Sequence, residues 1–266
     1  MTRDARCALI TGASSGIGEA VARMAADAGY RVAIAARRGE ELDRVRRSLA
    51  RSEEHLGLVC DVSDEASVAQ AFRQVGEAFG RLDLLVNNAG SGYRARVEDL
   101  DVAVARRVLD TNVIGILLCA KHALPWLKRG RESVVVNISS VVGRRAVPGQ
   151  ALYSASKAAV CSIGEALRIE WAGHDIAVCT LNPGLTSTGF FAAQVNPEKL
   201  ADPALATAAS AREVARAVLE LDRAPRPEVF LRPKWRWLAA LSMLAPRRAE
   251  SIFVRRIGES WRVPRR

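Results

Sequence analysis

The chain has 266 residues, 49% hydrophobic and 26% charged, a balance that predicts one globular domain with a sizeable core. No apolar run approaches the roughly 18 residues of a membrane-spanning helix, and the short polar start leads straight into an apolar strand, which predicts no signal peptide and a cytoplasmic protein. The net charge of +10 would suit nucleic acid, but ten basic residues against two acidic ones after Leu231 give the tail +8 of it, and no recognised nucleic-acid module accompanies the charge.

Short β-rich runs alternate with longer helical ones. Strands are predicted at Ala8–Thr11, Arg31–Ala35, Leu56–Cys60, Leu84–Asn87, Ser133–Ile138, Ile176–Leu181 and Glu228–Leu231. Helices are predicted near Gly16–Ala28, Glu40–Ala50, Glu65–Phe79, Val102–Arg129, Ala151–Ala172 and Ala211–Leu221. Near-continuous apolar strands alternating with helices predict an α/β fold: a doubly wound parallel sheet covered on both faces, with ligands beyond the carboxyl ends of its strands. Residues 1–231 make that domain and residues 232–266 a C-terminal extension. The five cysteines (Cys7, Cys60, Cys119, Cys161, Cys179) lack any Cys-x-x-Cys pairing and read as packed thiols. His55, His122 and His174 are isolated, so no metal site is expected.

Directly after the first strand, Gly12-Ala13-Ser14-Ser15-Gly16-Ile17-Gly18 opens a helix. Glycines there let the backbone turn tightly and approach a pyrophosphate resting on the helix N-terminus. The second strand ends in Arg37-Arg38, where a dinucleotide lacking a 2′-phosphate usually meets an acid. Guanidinium groups suit phosphate, so the expected cofactor is NADP(H) ahead of NAD(H), with Arg37 its main contact. Tyr153 and Lys157 lie four apart on a predicted helix and can therefore share one face. A lysine cation favours a phenolate, so this pair reads as a general acid/base.

With these motifs the chain resembles the short-chain dehydrogenase/reductase family, over about residues 5 to 231. The resemblance implies a Rossmann-type sheet of about seven strands in the order 3-2-1-4-5-6-7. It implies that Asp61-Val62 hold the adenine and that Asn88, Ala89 and Gly90, in Asn87-Asn88-Ala89-Gly90, line the cofactor. It also implies that Pro183, Gly184, Thr186 and Thr188 embrace the nicotinamide, and that Asn112, Ser140, Tyr153 and Lys157 form the catalytic set. Ser139 is the one ambiguity, as neighbour of Ser140. By the same resemblance Tyr153 exchanges the proton, Ser140 orients the reacting oxygen, Lys157 lowers the Tyr153 pKa and holds the nicotinamide ribose, and Asn112 anchors a proton-relay water. The family commonly pairs through its long helices, which implies a homodimer or homotetramer.

The segment Ser187–Ala193 carries no charge clamp, and with Val142, Val147 and Leu152 it predicts an apolar or lipid-like carbonyl or alcohol substrate, with Phe190 among its contacts. The alternatives are a 3-oxoacyl-thioester reductase, for which Arg144 and Arg145 would greet a phosphopantetheine arm, and a catalytically silent NADP sensor or membrane scaffold. Trp235, Trp237 and Trp261 with the tail's arginines flank short apolar runs, which reads either as an interfacial membrane anchor or as a packed helix pair. The anchor reading places the protein at the inner face of a membrane.

Overall fold

The computed structural model describes residues 5–197 and 208–251. Seven strands carry the sheet: β1 (Cys7–Thr11), β2 (Arg31–Ala36), β3 (Leu56–Val59), β4 (Leu84–Asn87), β5 (Ser133–Ile138), β6 (Ile176–Asn182) and, last in the chain, β9 (Glu228–Phe230). A two-stranded ladder of β7 (Thr186–Ser187) and β8 (Ala209–Ser210) stands apart. The main sheet has the order β3-β2-β1-β4-β5-β6-β9 with every pairing parallel, the order and hand of pairing expected from sequence.

Side chains alternate across each strand, so the sheet feeds two cores. On one face Ala8, Ile10, Val32 and Ile34 meet α1 (Gly16–Asp27), α2 (Gly39–Arg47) and α8 (Ala211–Arg223). On the other, Leu9, Ala33, Ala35 and Val135 meet α3 (Glu65–Phe79), α5 (Gly115–Leu127) and α6 (Ala151–Glu170). Each buried Val, Leu or Phe adds roughly 1.5–3 kcal/mol of burial free energy, so these two layers dominate the fold. All five cysteines are free and buried, as packed thiols should be.

Helix ends follow local chemistry. Asp64 accepts from the amides of Ala66 and Ser67 to start α3, and Gly80 ends it in the left-handed region at φ 75. Ser210 and Glu213 form a reciprocal capping box at α8.

The expected helix Val102–Arg129 needs correction. It is α4 (Val102–Leu109), a π-helical turn over Asp110–Ile114, then α5. The wider turn carries Asn112, wholly buried, and Gly115 follows where an added Cβ would stand 2.8 Å from Val62 Cγ2. Hydrogen bonding by Asn112 and this close approach to the end of β3 together outweigh regular α geometry.

A short α7 (Phe190–Ala193) follows β7, and α9 (Pro233–Leu244) follows β9. The chain divides into two compact units at the junction of Leu231 and Arg232. Among the described residues, no helix is long and apolar enough to cross a membrane.

Candidate active site

Beyond the carboxyl end of β1 the backbone turns at Gly12 (φ 65) and Gly16 (φ 62), values that glycine adopts without strain. A Cβ at Gly12 would stand 2.7 Å from Ala89 Cα, and one at Gly18 would stand 2.5 Å from the Gly12 carbonyl oxygen. Asn88 fastens this loop by donating Nδ2 to the carbonyls of Thr11 (2.9 Å) and Gly12 (3.1 Å). Thr11 Oγ1 in turn accepts from the amides of Asn88 and Ala89, both at 3.0 Å. Ser15 caps α1 without a side-chain hydrogen bond, leaving the first amides and the positive end of the helix dipole to face a ligand. Thr188 comes in from the far side of the sheet, 3.5 Å from where a Gly16 Cβ would lie. Thr186 is buried and donates to the Gly184 carbonyl at 3.2 Å. The cradle thus joins segments from both halves of the chain and fits a dinucleotide pyrophosphate.

At the end of β2, Arg38 rather than Arg37 crosses to the glycine loop. Its Nη2 donates to Ser14 Oγ (3.1 Å) and Ser15 Oγ (3.3 Å), while Nη1 lies 3.3 Å from Glu41. The Asp61 carboxylate accepts from the Ser63 amide (3.0 Å) and hydroxyl (2.6 Å). Burial pushes its pKa up, but these bonds, with Arg37 nearby, hold it below the usual carboxylate value.

Beyond β5 the two candidate serines diverge. Ser139 is buried and turned inward, donating to the Lys157 carbonyl at 2.8 Å and lying 3.2 Å from Cys161 Sγ. Ser140 caps a 3-10 turn over Val141–Gly143, accepts from the Val142 amide at 3.4 Å, and sits beside the Tyr153 phenol. Strand alternation puts successive residues on opposite faces and so selects Ser140.

On α6, Tyr153 is half-buried and Lys157 is 5% exposed, its Nζ donating to the Ile138 carbonyl at 2.9 Å. Burial pushes the Lys157 ammonium down to about 8. Burial also raises the Tyr153 phenol, and the Ser140 hydroxyl is the neighbour that opposes this. The expected lowering by Lys157 is not among these causes. The ammonium lies 5.9 Å from the ring centre, with a hydrogen bond committed to Ile138.

Asn112 locks the site's floor: Oδ1 accepts from the Ser91 amide (2.8 Å), and Nδ2 donates to the Ser91 carbonyl (2.9 Å) and Ser156 Oγ (3.0 Å). Beside it, Gly90 leaves room: its Cβ would stand 3.2 Å from Asn112 Oδ1 and 3.5 Å from Lys157 Nζ. Asn112, Lys157 and the Asn88–Gly90 segment are thus neighbours.

Over Tyr153 lies Phe190, ring centres 5.6 Å apart, with Phe191 edge-on to Phe190 at 5.8 Å. The segment bearing them is held by backbone pairing that the sequence did not signal: Val195 donates to Gly92 O (3.2 Å) and accepts from the Arg94 amide (2.9 Å). Gly92 is required there, since its Cβ would meet Phe190 Cζ at 2.9 Å. Arg144, expected to face a phosphopantetheine arm, is instead paired with Glu228 at 2.8 Å and with Glu165. Among the described residues, no cluster of three or more His, Cys, Asp or Glu could hold a metal.

A glycine cradle at the switch point of a parallel sheet, with the helix bearing Tyr153 and Lys157 beside it, defines a Rossmann-type dinucleotide-binding fold. More particularly, the chain belongs to the short-chain dehydrogenase family of oxidoreductases, whose family model matches residues 6–199. It is 38% identical over 183 residues to 3-ketodihydrosphingosine reductase of Bacteroides thetaiotaomicron, a match covering 68% of this chain and 64% of that protein's length. A short-chain dehydrogenase/reductase from Burkholderia phymatum, solved with NAD, superposes with a TM-score of 0.81 at 29% identity, over 91% of this chain and 94% of its own. An alcohol dehydrogenase from Thermococcus sibiricus, solved with 5-hydroxy-NADP, gives 0.76 at 30% identity, over 85% and 96%.

Proposed function

We propose that the protein is an NADP(H)-dependent oxidoreductase acting between a carbonyl and a secondary alcohol on an apolar or lipid-like substrate. The observation that carries this is the meeting of Ser140, Tyr153, Lys157 and Asn112 beside the glycine cradle, from three separate elements.

Residues Gly12–Gly18, Asn88–Gly90, Pro183–Gly184, Thr186 and Thr188 would hold the dinucleotide, which supplies or accepts a hydride when bound. Tyr153, kept protonated by burial, gives its proton to the oxygen of a carbonyl as charge develops there. Ser140 donates a hydrogen bond to the same oxygen and fixes its direction. Lys157, mostly cationic at neutral pH, stabilises the phenolate that Tyr153 becomes and returns a proton through the Asn112 side of the site.

Arg38 on Ser14 and Ser15, with Arg37 beside it, supports NADP(H) over NAD(H). Phe190 and Phe191 give the substrate side an aromatic wall, which supports an apolar substrate, as does the lipid-type name of the Bacteroides relative. The pairing of Arg144 with Glu228 and Glu165 leaves Arg145 as the remaining phosphopantetheine contact of the thioester reading, which weakens that reading. A silent sensor would have use for Lys157 on the cofactor ribose but none for Ser140 placed beside the Tyr153 phenol.

Val102, Leu109, Ile114 and Leu117 on the α4–α5 stretch and Ile169 on α6 are exposed, which supports a homodimer or homotetramer. The basic, Trp-bearing tail supports contact with an anionic membrane surface, and with it a place at the inner face of a membrane. The test of the activity is Tyr153→Phe. Turnover of ketone and alcohol panels should fall at least about a thousandfold, while NADPH titrated by fluorescence binds within about twofold of wild type. Substantial residual turnover refutes the assignment.

A further inference from the structure

Glu228 lies on β9, the edge strand, outside every motif that points to the site. Its carboxylate nevertheless joins three segments. Oε1 accepts from Arg144 Nε at 2.8 Å and from Asn182 Nδ2 at 2.7 Å, and Oε2 accepts from Arg144 Nη2 at 3.2 Å. Arg144 immediately follows the 3-10 turn capped by Ser140. Asn182, wholly buried, ends β6 one residue before Pro183-Gly184. The same two segments also touch directly, where the Val141 amide donates to the Pro183 carbonyl at 3.0 Å.

The network continues inward. The Asn182 Oδ1 accepts from Cys161 Sγ at 3.6 Å, Cys161 meets Ser139, and Ser139 holds the Lys157 carbonyl. Gly143 packs so closely that its Cβ would stand 2.7 Å from the Lys157 carbonyl oxygen. The turn bearing Ser140 is therefore wedged between α6 and the β6–β9 edge, and among the described residues Glu228 is the anion bonded to both Arg144 and Asn182.

We propose that Glu228 is a positioning residue, holding the Ser140 turn against the Pro183–Gly184 segment through Arg144 and Asn182. This rests on reading Ser140 and Tyr153 as the reacting pair. Glu228 touches no reacting atom. Its effect is on the orientation of the Ser140 hydroxyl, and reactions are sensitive to displacements well under a bond length in such groups.

The test compares Glu228→Gln, Glu228→Ala, Arg144→Met and the double variant Glu228→Ala/Arg144→Met with Glu165→Gln, which removes only the exposed partner of Arg144. Two readouts are taken: kcat and KM with NADPH and the best carbonyl of a panel, and amide hydrogen exchange across residues 139–145 and 182–186. The expected result is a kcat lowered about tenfold in Glu228→Ala and in Arg144→Met, with KM for NADPH within about twofold. The double variant should fall well short of the product of the two single losses, since both single variants break the same Glu228–Arg144 pair. Exchange should quicken in those two segments alone, and Glu165→Gln should resemble wild type.

A kcat within about twofold of wild type in both single variants, with unchanged exchange, overturns the proposal. So does a loss in the double variant equal to the product of the single losses. If Glu228→Ala does not fold, Glu228→Gln and Arg144→Met decide by the same two readouts. If wild-type protein reduces no carbonyl, the functional reading fails, and exchange alone still decides whether Glu228 holds the two segments.

Discussion

At the residue scale the site rests on pairs that spacing alone cannot separate. Ser139 and Ser140 are chemically identical, and only their opposite orientation off β5 makes one a partner of the Lys157 carbonyl and the other a neighbour of Tyr153. The Tyr153–Lys157 pairing was legible as helical spacing. The cost of burying the lysine was not, because it depends on Ile138, Gly90 and Asn112 closing around it. That cost has a sign that can be measured. The Lys157 ammonium falls from its ordinary 10.5 to about 8 on folding. Between those values the unfolded chain keeps a proton that the folded chain has released, so stability rises with pH across this window. Below about 8 both states are protonated and the penalty is fully present. Wild type should therefore gain about 2 kcal/mol on Lys157→Met between about pH 7.5 and about pH 9.5, roughly 5 °C in melting temperature. Parallel melting curves for the two proteins over that range would show that the lysine titrates normally.

At the scale of elements, most boundaries follow local chemistry, and β4, β5 and α3 lie where the pattern put them. The π turn at Asp110–Ile114 broke the pattern because its cause is distant in sequence: Ser91 and Ser156 bond Asn112, and Val62 crowds Gly115. The end of β2 shows the same limit. Two adjacent arginines predicted a 2′-phosphate contact led by Arg37, but the backbone path into α2 is what sends Arg38 across the glycine loop. The ratio of kcat/KM for NADPH over NADH should therefore fall more on Arg38→Asp, by about ten- to a hundredfold, than on Arg37→Asp. Comparable efficiency with both cofactors in the wild type, or a ratio unmoved by either change, would refute NADP(H) preference. The Arg38–Glu41 salt bridge is exposed and worth about 0–1 kcal/mol, so the substitutions should leave the fold standing.

For the whole molecule, the division at Leu231 and Arg232 separates a nearly neutral unit from a strongly basic one. Within the second unit, α9 begins at Pro233, a favourable first helical position, and exposes Trp237 (75%), Met243 (79%) and Leu244 (87%). Lys234 and Arg236 near its start and Arg247 and Arg248 just past its end are exposed as well. Apolar and cationic groups displayed together favour an anionic lipid interface. Full-length protein should float with anionic vesicles and lose that behaviour at about 0.5 M salt, whereas protein ending at Leu231 should stay behind. Equal flotation of the two would remove the membrane role. Trp261 and the segment after Ser251 lie outside the described residues.

The sequence by itself determined the parallel sheet, the glycine loop after its first strand and the shared helical face of Tyr153 and Lys157, because each rests on local periodicity or on short spacings, and the strand order followed from the family resemblance. Tertiary structure alone decided which serine faces Tyr153, where the Asn112 turn widens, which arginine crosses the cradle, and that Glu228 ties two site segments together. Those outcomes depend on contacts between residues from 13 to 84 positions apart, and such contacts leave no periodic trace in the chain that makes them.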